Sequence, residues 1–153
     1  MKNRRGFLLA EETLKIIIAL ICIGILVYLL SSLYFENKDE KDLELASASL
    51  LHLFEEMKKG NSEVEIYNPK GWNIWSWHES TGIPNSCSNF DWETCICICK
   101  NSWLGNDLEN CDDKGTCLNN DEGFIIEPYI NIEKPPVVLI IDKDNKRIEL
   151  NEK

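Results

Sequence analysis

Six cysteines crowd into 31 residues: Cys87, Cys95, Cys97, Cys99, Cys111 and Cys117. Thiols at that density do one of two things. They oxidise in pairs and cross-link a domain, or they act as thiolates and hold a soft metal. An even number of them in a small domain reads as a disulfide framework, with about 15 possible connectivities. Structural zinc sites use two paired C-x₂₋₄-C knuckles, and such a pair of knuckles is absent here. The disulfide reading is therefore the stronger, and no metal or other cofactor is expected. Cys95-Ile96-Cys97-Ile98-Cys99 alternates cleanly. On a strand its three sulfurs face one side and its two isoleucines the other. Strand residues two apart have Cα atoms about 6.5–7 Å from each other, at the limit for a disulfide. Each of these three cysteines should therefore bond a different segment, with Cys87, Cys111 and Cys117 as the candidate partners.

The remaining reactive side chains are scattered. His52 and His78 have no evident serine, cysteine or carboxylate partner that would make a triad. No glycine-rich phosphate loop or zinc-protease motif is present, so an enzyme is not expected. Asp142, Asp144 and Asn145, or the stretch Asn119 to Glu122, offer oxygen ligands for calcium. Neither has calcium-loop spacing, and turn chemistry is the better account. Trp72, Trp75, Trp77, Trp92 and Trp103 suggest a platform for a sugar or a surface, although tryptophans in a small domain more often fill its core.

These residues sit in an exported context. Ile16 to Leu33 is an apolar run of 18 residues with no charge, no proline and one glycine, Gly24. As a helix it reaches about 27 Å, close to the thickness of a bilayer's hydrocarbon core. Tyr34 and Phe35 stand where an interfacial aromatic belt would lie. The run is apolar on every face, unlike a helix in a soluble core. Cys22 lies within it. Lys2, Arg4 and Arg5 precede the span and favour a cytoplasmic N-terminus. A single-pass membrane protein with an extracellular or cell-surface C-terminal domain follows. Residues 36–153 hold 24 of the 26 acidic and 12 of the 16 basic residues, a net charge of −12. Phosphates would be repelled, so nucleic acid is not an expected partner. The oxidising exterior agrees with the disulfide reading.

The leader has a specific order: the basic Met1-Lys2-Asn3-Arg4-Arg5, Gly6, then Phe7-Leu8-Leu9-Ala10-Glu11. Residues 1–35 resemble the class III signal peptide and N-terminal helix of type IV pilins and pseudopilins. The resemblance implies that a prepilin peptidase cuts between Gly6 and Phe7, and that Glu11 is the fifth residue of the mature chain. It also implies assembly with other pilin-like subunits, in which the Glu11 carboxylate meets the free α-amino group of a neighbour's Phe7. A carboxylate inside an apolar segment is costly unless it is paired in this way. Glu12 and Lys15 depart from the pattern, because main filament subunits usually stay apolar longer after the glutamate. The departure points to a minor pilin or a pseudopilin. The alternative is an unprocessed anchor, with Glu11 and Lys15 paired at i, i+4 and an acidic ectodomain that binds an extracellular partner.

Beyond the span, Glu36 to Asp42 is almost wholly charged. Leu43, Ala46, Leu50, Leu53 and Met57 then recur at helical spacing, widened by Leu51 and Phe54. Gly60-Asn61 supplies a stop. One long helix from Phe7 to Lys59 is compatible with this pattern, and so is a break at Glu36 to Asp42. The stripe should pack on the chain's own sheet, since two heptads are too few for a coiled coil. From Glu63 the period becomes two. Val64 and Ile66 precede a turn at Asn68-Pro69-Lys70-Gly71, with Trp72 to Trp77 as the returning strand. Val137–Ile141 and Arg147–Leu150 should form a hairpin. The chain is thus read as a leader (1–6), a transmembrane helix (7–35), an amphipathic stalk (36–60) and a β-rich domain (61–153). A loop-dominated cysteine-rich insertion occupies about residues 81–120. The expected fold class is α+β: a long N-terminal helix packed on a small antiparallel sheet with a disulfide-rich insertion.

Overall fold

One helix, α1 (Arg4–Lys59), carries the chain from the basic leader through the apolar run and into the amphipathic segment. The alternative break at Glu36 to Asp42 does not occur. That stretch lacks glycine and proline, and its straight-chain charged residues are good helix formers. The computed structural model describes residues 4–78, 82–101 and 107–151, without the side chains of residues 4–11 and 107. Two compact units result, Met1–Glu40 and Lys41–Lys153.

The second unit holds the rest of the fold. After α1 come β1 (Glu63–Ile66), β2 (Trp72–His78), α2 (Asn85–Ser88), β3 (Thr94–Lys100) and α3 (Asp107–Lys114). Then follow β4 (Gly115–Asn119), β5 (Ile130–Ile132), β6 (Val137–Asp142) and β7 (Arg147–Leu150). The expected antiparallel sheet is built as two, a three-stranded β1-β6-β7 and a four-stranded β4-β3-β2-β5. The class is α+β, as the sequence indicates.

Gly60 ends α1. Its φ of +92° suits a residue without Cβ. The Gly60 N–H donates to Met57 O at 3.1 Å, and the Asn61 N–H donates to Glu56 O at 3.1 Å. This paired closure is the Schellman motif. Lys143 Nζ adds a donor to Met57 O at 3.2 Å.

Ala46, Leu50, Leu53 and Met57 of α1 are buried in one core with Val64, Leu139 and Ile148 of the smaller sheet and Trp72, Ile96 and Ile98 of the larger. Each leucine fully buried there contributes about 2 kcal/mol through the water it sheds. The helical stripe is narrower than its spacing suggests. Leu43 and Leu51 are exposed and Phe54 is half-buried.

Two expectations are corrected. The first is the β1–β2 hairpin. β1 pairs with β6, whereas β2 pairs with β3 and β5. The reason is ladder length: β2 matches β3 over its full seven residues, from Trp72↔Lys100 to His78↔Thr94, and the four-residue β1 offers less. The intervening turn passes the chain from one sheet to the other, and the Gly71 N–H donates to Ile132 O at 2.8 Å. The second is the loop-dominated insertion. It contributes β3, one of the two inner strands of the larger sheet, the edge strand β4 and two short helices. The β6–β7 hairpin forms as expected, with Asp142↔Arg147 next to its turn.

Candidate functional site

The N-terminal unit is part of a helix, and its described side chains are largely exposed. The large apolar side chains from Leu14 to Leu33 are 49 to 72% exposed. Exposed apolar surface on that scale marks contact with lipid or with other helices. The helix is long and apolar enough to cross a membrane. Ser31, a polar residue in this run, donates its hydroxyl to Val27 O at 2.8 Å, which satisfies that hydroxyl within the helix where lipid cannot. Gly6, Phe7 and Glu11 are part of α1, with Phe7 and Glu11 about one helical turn apart. Their side chains lie outside the described ones, as do residues 1–3 of the leader and Trp103 of the tryptophan set.

The cysteines form the second feature. β3 alternates as its sequence indicates. Ile96 and Ile98 enter the core beneath α1, and Cys95, Cys97 and Cys99 collect on the opposite face. Each bonds a different segment: Cys87–Cys95 reaches α2, Cys97–Cys117 reaches β4, and Cys99–Cys111 reaches α3. The Cα separations are 6.4, 4.1 and 4.9 Å. Cys97 and Cys117 face each other directly across the ladder, at a separation near the roughly 4.5 Å of a non-hydrogen-bonded pair. Gly115 makes room beside the Cys99–Cys111 bond. A Cβ there would lie 2.6 Å from Cys111 O and 3.0 Å from Cys99 Sγ.

The tryptophans divide. Trp72 fills the core. Trp75 and Trp77 share the sulfur face of β2, stacked at 5.2 Å, and Tyr129 continues the ladder 4.5 Å from Trp75. These rings spend much of their faces on one another, so they cover the disulfides more than they offer a flat platform. Phe90 and Trp92 stack at 5.2 Å nearby. The calcium candidates are occupied in turns. Asp142 accepts the Asn145 N–H at 3.0 Å and the Asn145 Nδ2 at 2.8 Å, and Asn119 Nδ2 donates to Asp121 at 2.7 Å. A groove of 690 Å³ lies beside Tyr129. Glu127 and Glu149 line it and flank Arg147 at 3.4 and 3.6 Å. His52 is exposed on α1, and His78 closes β2.

Sequence reading missed Asp112. From α3 it reaches back to α2, accepting the Ser86 N–H and the Asn85 Nδ2, each at 2.8 Å. It thereby satisfies a donor that a helix start leaves orphaned. No local signal points to a partner 26 residues away. Burial raises the Asp112 carboxyl pKa, but the hydrogen bonds from Ser86 and Asn85 outweigh it and hold the group below the ordinary value. A depressed carboxylate adds stability that is complete above its unfolded pKa and is lost as pH falls through its folded one. Asp112→Asn should therefore melt at a lower temperature than the parent at neutral pH. The gap should close below about pH 4. Melting curves of both chains across the acid range check this, and a gap independent of pH would refute it.

Comparison of the chain with known protein families, with characterised proteins and with solved structures returns no match.

Proposed function

We propose that this chain is a membrane-anchored, pilin-like structural subunit of the minor pilin or pseudopilin type. In this reading a prepilin peptidase processes it after Gly6. The mature chain then joins other pilin-like subunits in a surface filament or secretion pseudopilus, through contacts of Phe7 and Glu11. Its role is assembly, not catalysis. The observation that supports this most is α1 itself. It runs unbroken from Arg4 to Lys59, apolar and exposed from Leu14 to Leu33 and buried along one stripe against β-sheets from Ala46 to Met57. One helix that serves lipid or neighbouring helices at one end and a folded domain at the other is the architecture the leader's resemblance implies. The disulfide-bonded domain suits the exterior side of a membrane.

Glu12 and Lys15, both exposed on α1, favour a second reading: an unprocessed single-pass anchor whose acidic, disulfide-rich ectodomain binds an extracellular partner. Intact mass and N-terminal sequencing of protein from its native membrane, without reductant, separate the two. The expected chain begins at Phe7. One beginning at Met1 leaves the anchor. The mass gain on reduction and alkylation should correspond to six oxidised cysteines.

A further inference from the structure

Four sulfurs converge on the outer face of the larger sheet. The Sγ atoms of Cys87, Cys95, Cys97 and Cys117 all lie within 4.8 Å of one another. Between the two disulfides, Cys97 Sγ is 3.7 Å from Cys87 Sγ and 3.8 Å from Cys95 Sγ. A tetrahedral zinc tetrathiolate with Zn–S bonds of about 2.3 Å has its sulfurs about 3.8 Å apart. Two edges of that tetrahedron are already set by the packing of side chains that are not bonded to each other. The fold supplies what the linear spacing lacks, by bringing Cys87 on α2 and Cys117 on β4 to the pair on β3.

The surroundings suit the same chemistry. Cys87, Cys95 and Cys97 are fully buried, while Cys117 is half-exposed and leaves a way in. Trp77, Trp92 and Ile83 pack against the cluster and keep water from it. Ser86 Oγ lies 3.4 Å from Cys117 Sγ, where a hydroxyl donates to a thiolate ligand.

We infer that these four cysteines form, when reduced, a site for one thiophilic divalent cation of the zinc type. Metal cross-linking and disulfide cross-linking are then alternative states of the same four sulfurs. To pass between them, each disulfide takes two electrons and two protons from a dithiol reductant, which leaves as its own disulfide. The cation binds the four thiols as thiolates and releases four protons to solvent. Cys99–Cys111 lies outside the set, although Cys97, Cys99 and Cys111 also come within 4.8 Å of one another, so the test must separate the two groups.

The test uses the full chain in detergent micelles, with Cys22→Ser to remove the thiol in the span. A water-soluble phosphine reduces it, taking oxygen from water to become the phosphine oxide. Cobalt(II) is then titrated as the spectroscopic probe. The expected result is one cobalt per chain, with thiolate-to-cobalt charge transfer and tetrahedral d–d bands that one equivalent of zinc abolishes. Adding Cys99→Ser and Cys111→Ser should preserve the spectrum. Adding Cys95→Ser should weaken binding more than about tenfold, since even loss of a supporting hydrogen bond costs that much. The tryptophan near-UV dichroism, read in the same samples, should rise as cobalt binds. No charge-transfer band in the reduced chain overturns the assignment. So does a spectrum kept by both variants, lost by both, or lost only with Cys99 and Cys111.

Discussion

Replacing Glu11 with alanine is expected to abolish incorporation into filaments while leaving membrane insertion intact. Alanine makes the segment more apolar, so the span itself is not weakened. In the proposed filament, what is lost is one half of a charge pair between the Glu11 carboxylate and a neighbour's Phe7 amine. Removing one partner of a buried pair costs about 3–5 kcal/mol, because the other charge is left uncompensated. At about 1.4 kcal/mol per tenfold, that weakens each subunit contact by two to three and a half orders of magnitude. Such a contact recurs for every subunit added, so assembly should fail outright. Glu11→Gln, which keeps size and loses charge, should fail likewise. The measurement compares subunit in sheared surface material with subunit in the membrane fraction. Normal surface behaviour of Glu11→Ala would remove the filament reading and leave the single-pass anchor.

The features legible in the sequence are those in which one periodicity carries one chemistry. The β3 stretch alternates cysteine and isoleucine, and that alone separates sulfurs from isoleucines and sends each sulfur to a different segment; that the isoleucine side is the core one comes from the packing of α1 and the second sheet. Ala46, Leu50, Leu53 and Met57 were equally legible as the buried face of α1. Strand partnership was less so. The turn at Asn68 to Gly71 is a local signal, but it does not say whether the strands it joins will pair. That is decided by which ladder is longer, and β3 outcompetes β1 for β2. The insertion looked like loop because Gly, Asn, Asp and Ser dominate its average composition, although five alternating residues within it make an inner strand of a sheet. The gathering of four sulfurs and the reach of Asp112 to α2 lie beyond any local pattern, because both depend on how α2, α3 and β4 return to β3.

The other large effect concerns Cys97 and Cys117. Replacing both with alanine should lower the stability of the folded domain by about 3 kcal/mol, the chain-entropy value for a loop of this length. Their separation of 20 residues is the longest of the three disulfide loops and encloses Cys99–Cys111. The bond also clamps β4, an edge strand, to the sheet through directly facing residues. A melting temperature lower by on the order of 10 °C is expected. Replacing Cys87 and Cys95, which close a loop of separation 8, should cost less, about 2.5 kcal/mol on the same relation. Full reduction removes all three constraints, a combined loss comparable to the whole stability of a domain this size. The near-UV dichroism of the packed tryptophans should then collapse in reductant, and protease resistance with it. An unshifted melting temperature for Cys97→Ala/Cys117→Ala would mean that burial and the two remaining disulfides hold the sheet without this bond. A chain that collapses in reductant and recovers its dichroism with zinc would show the same four sulfurs holding the fold by either cross-link.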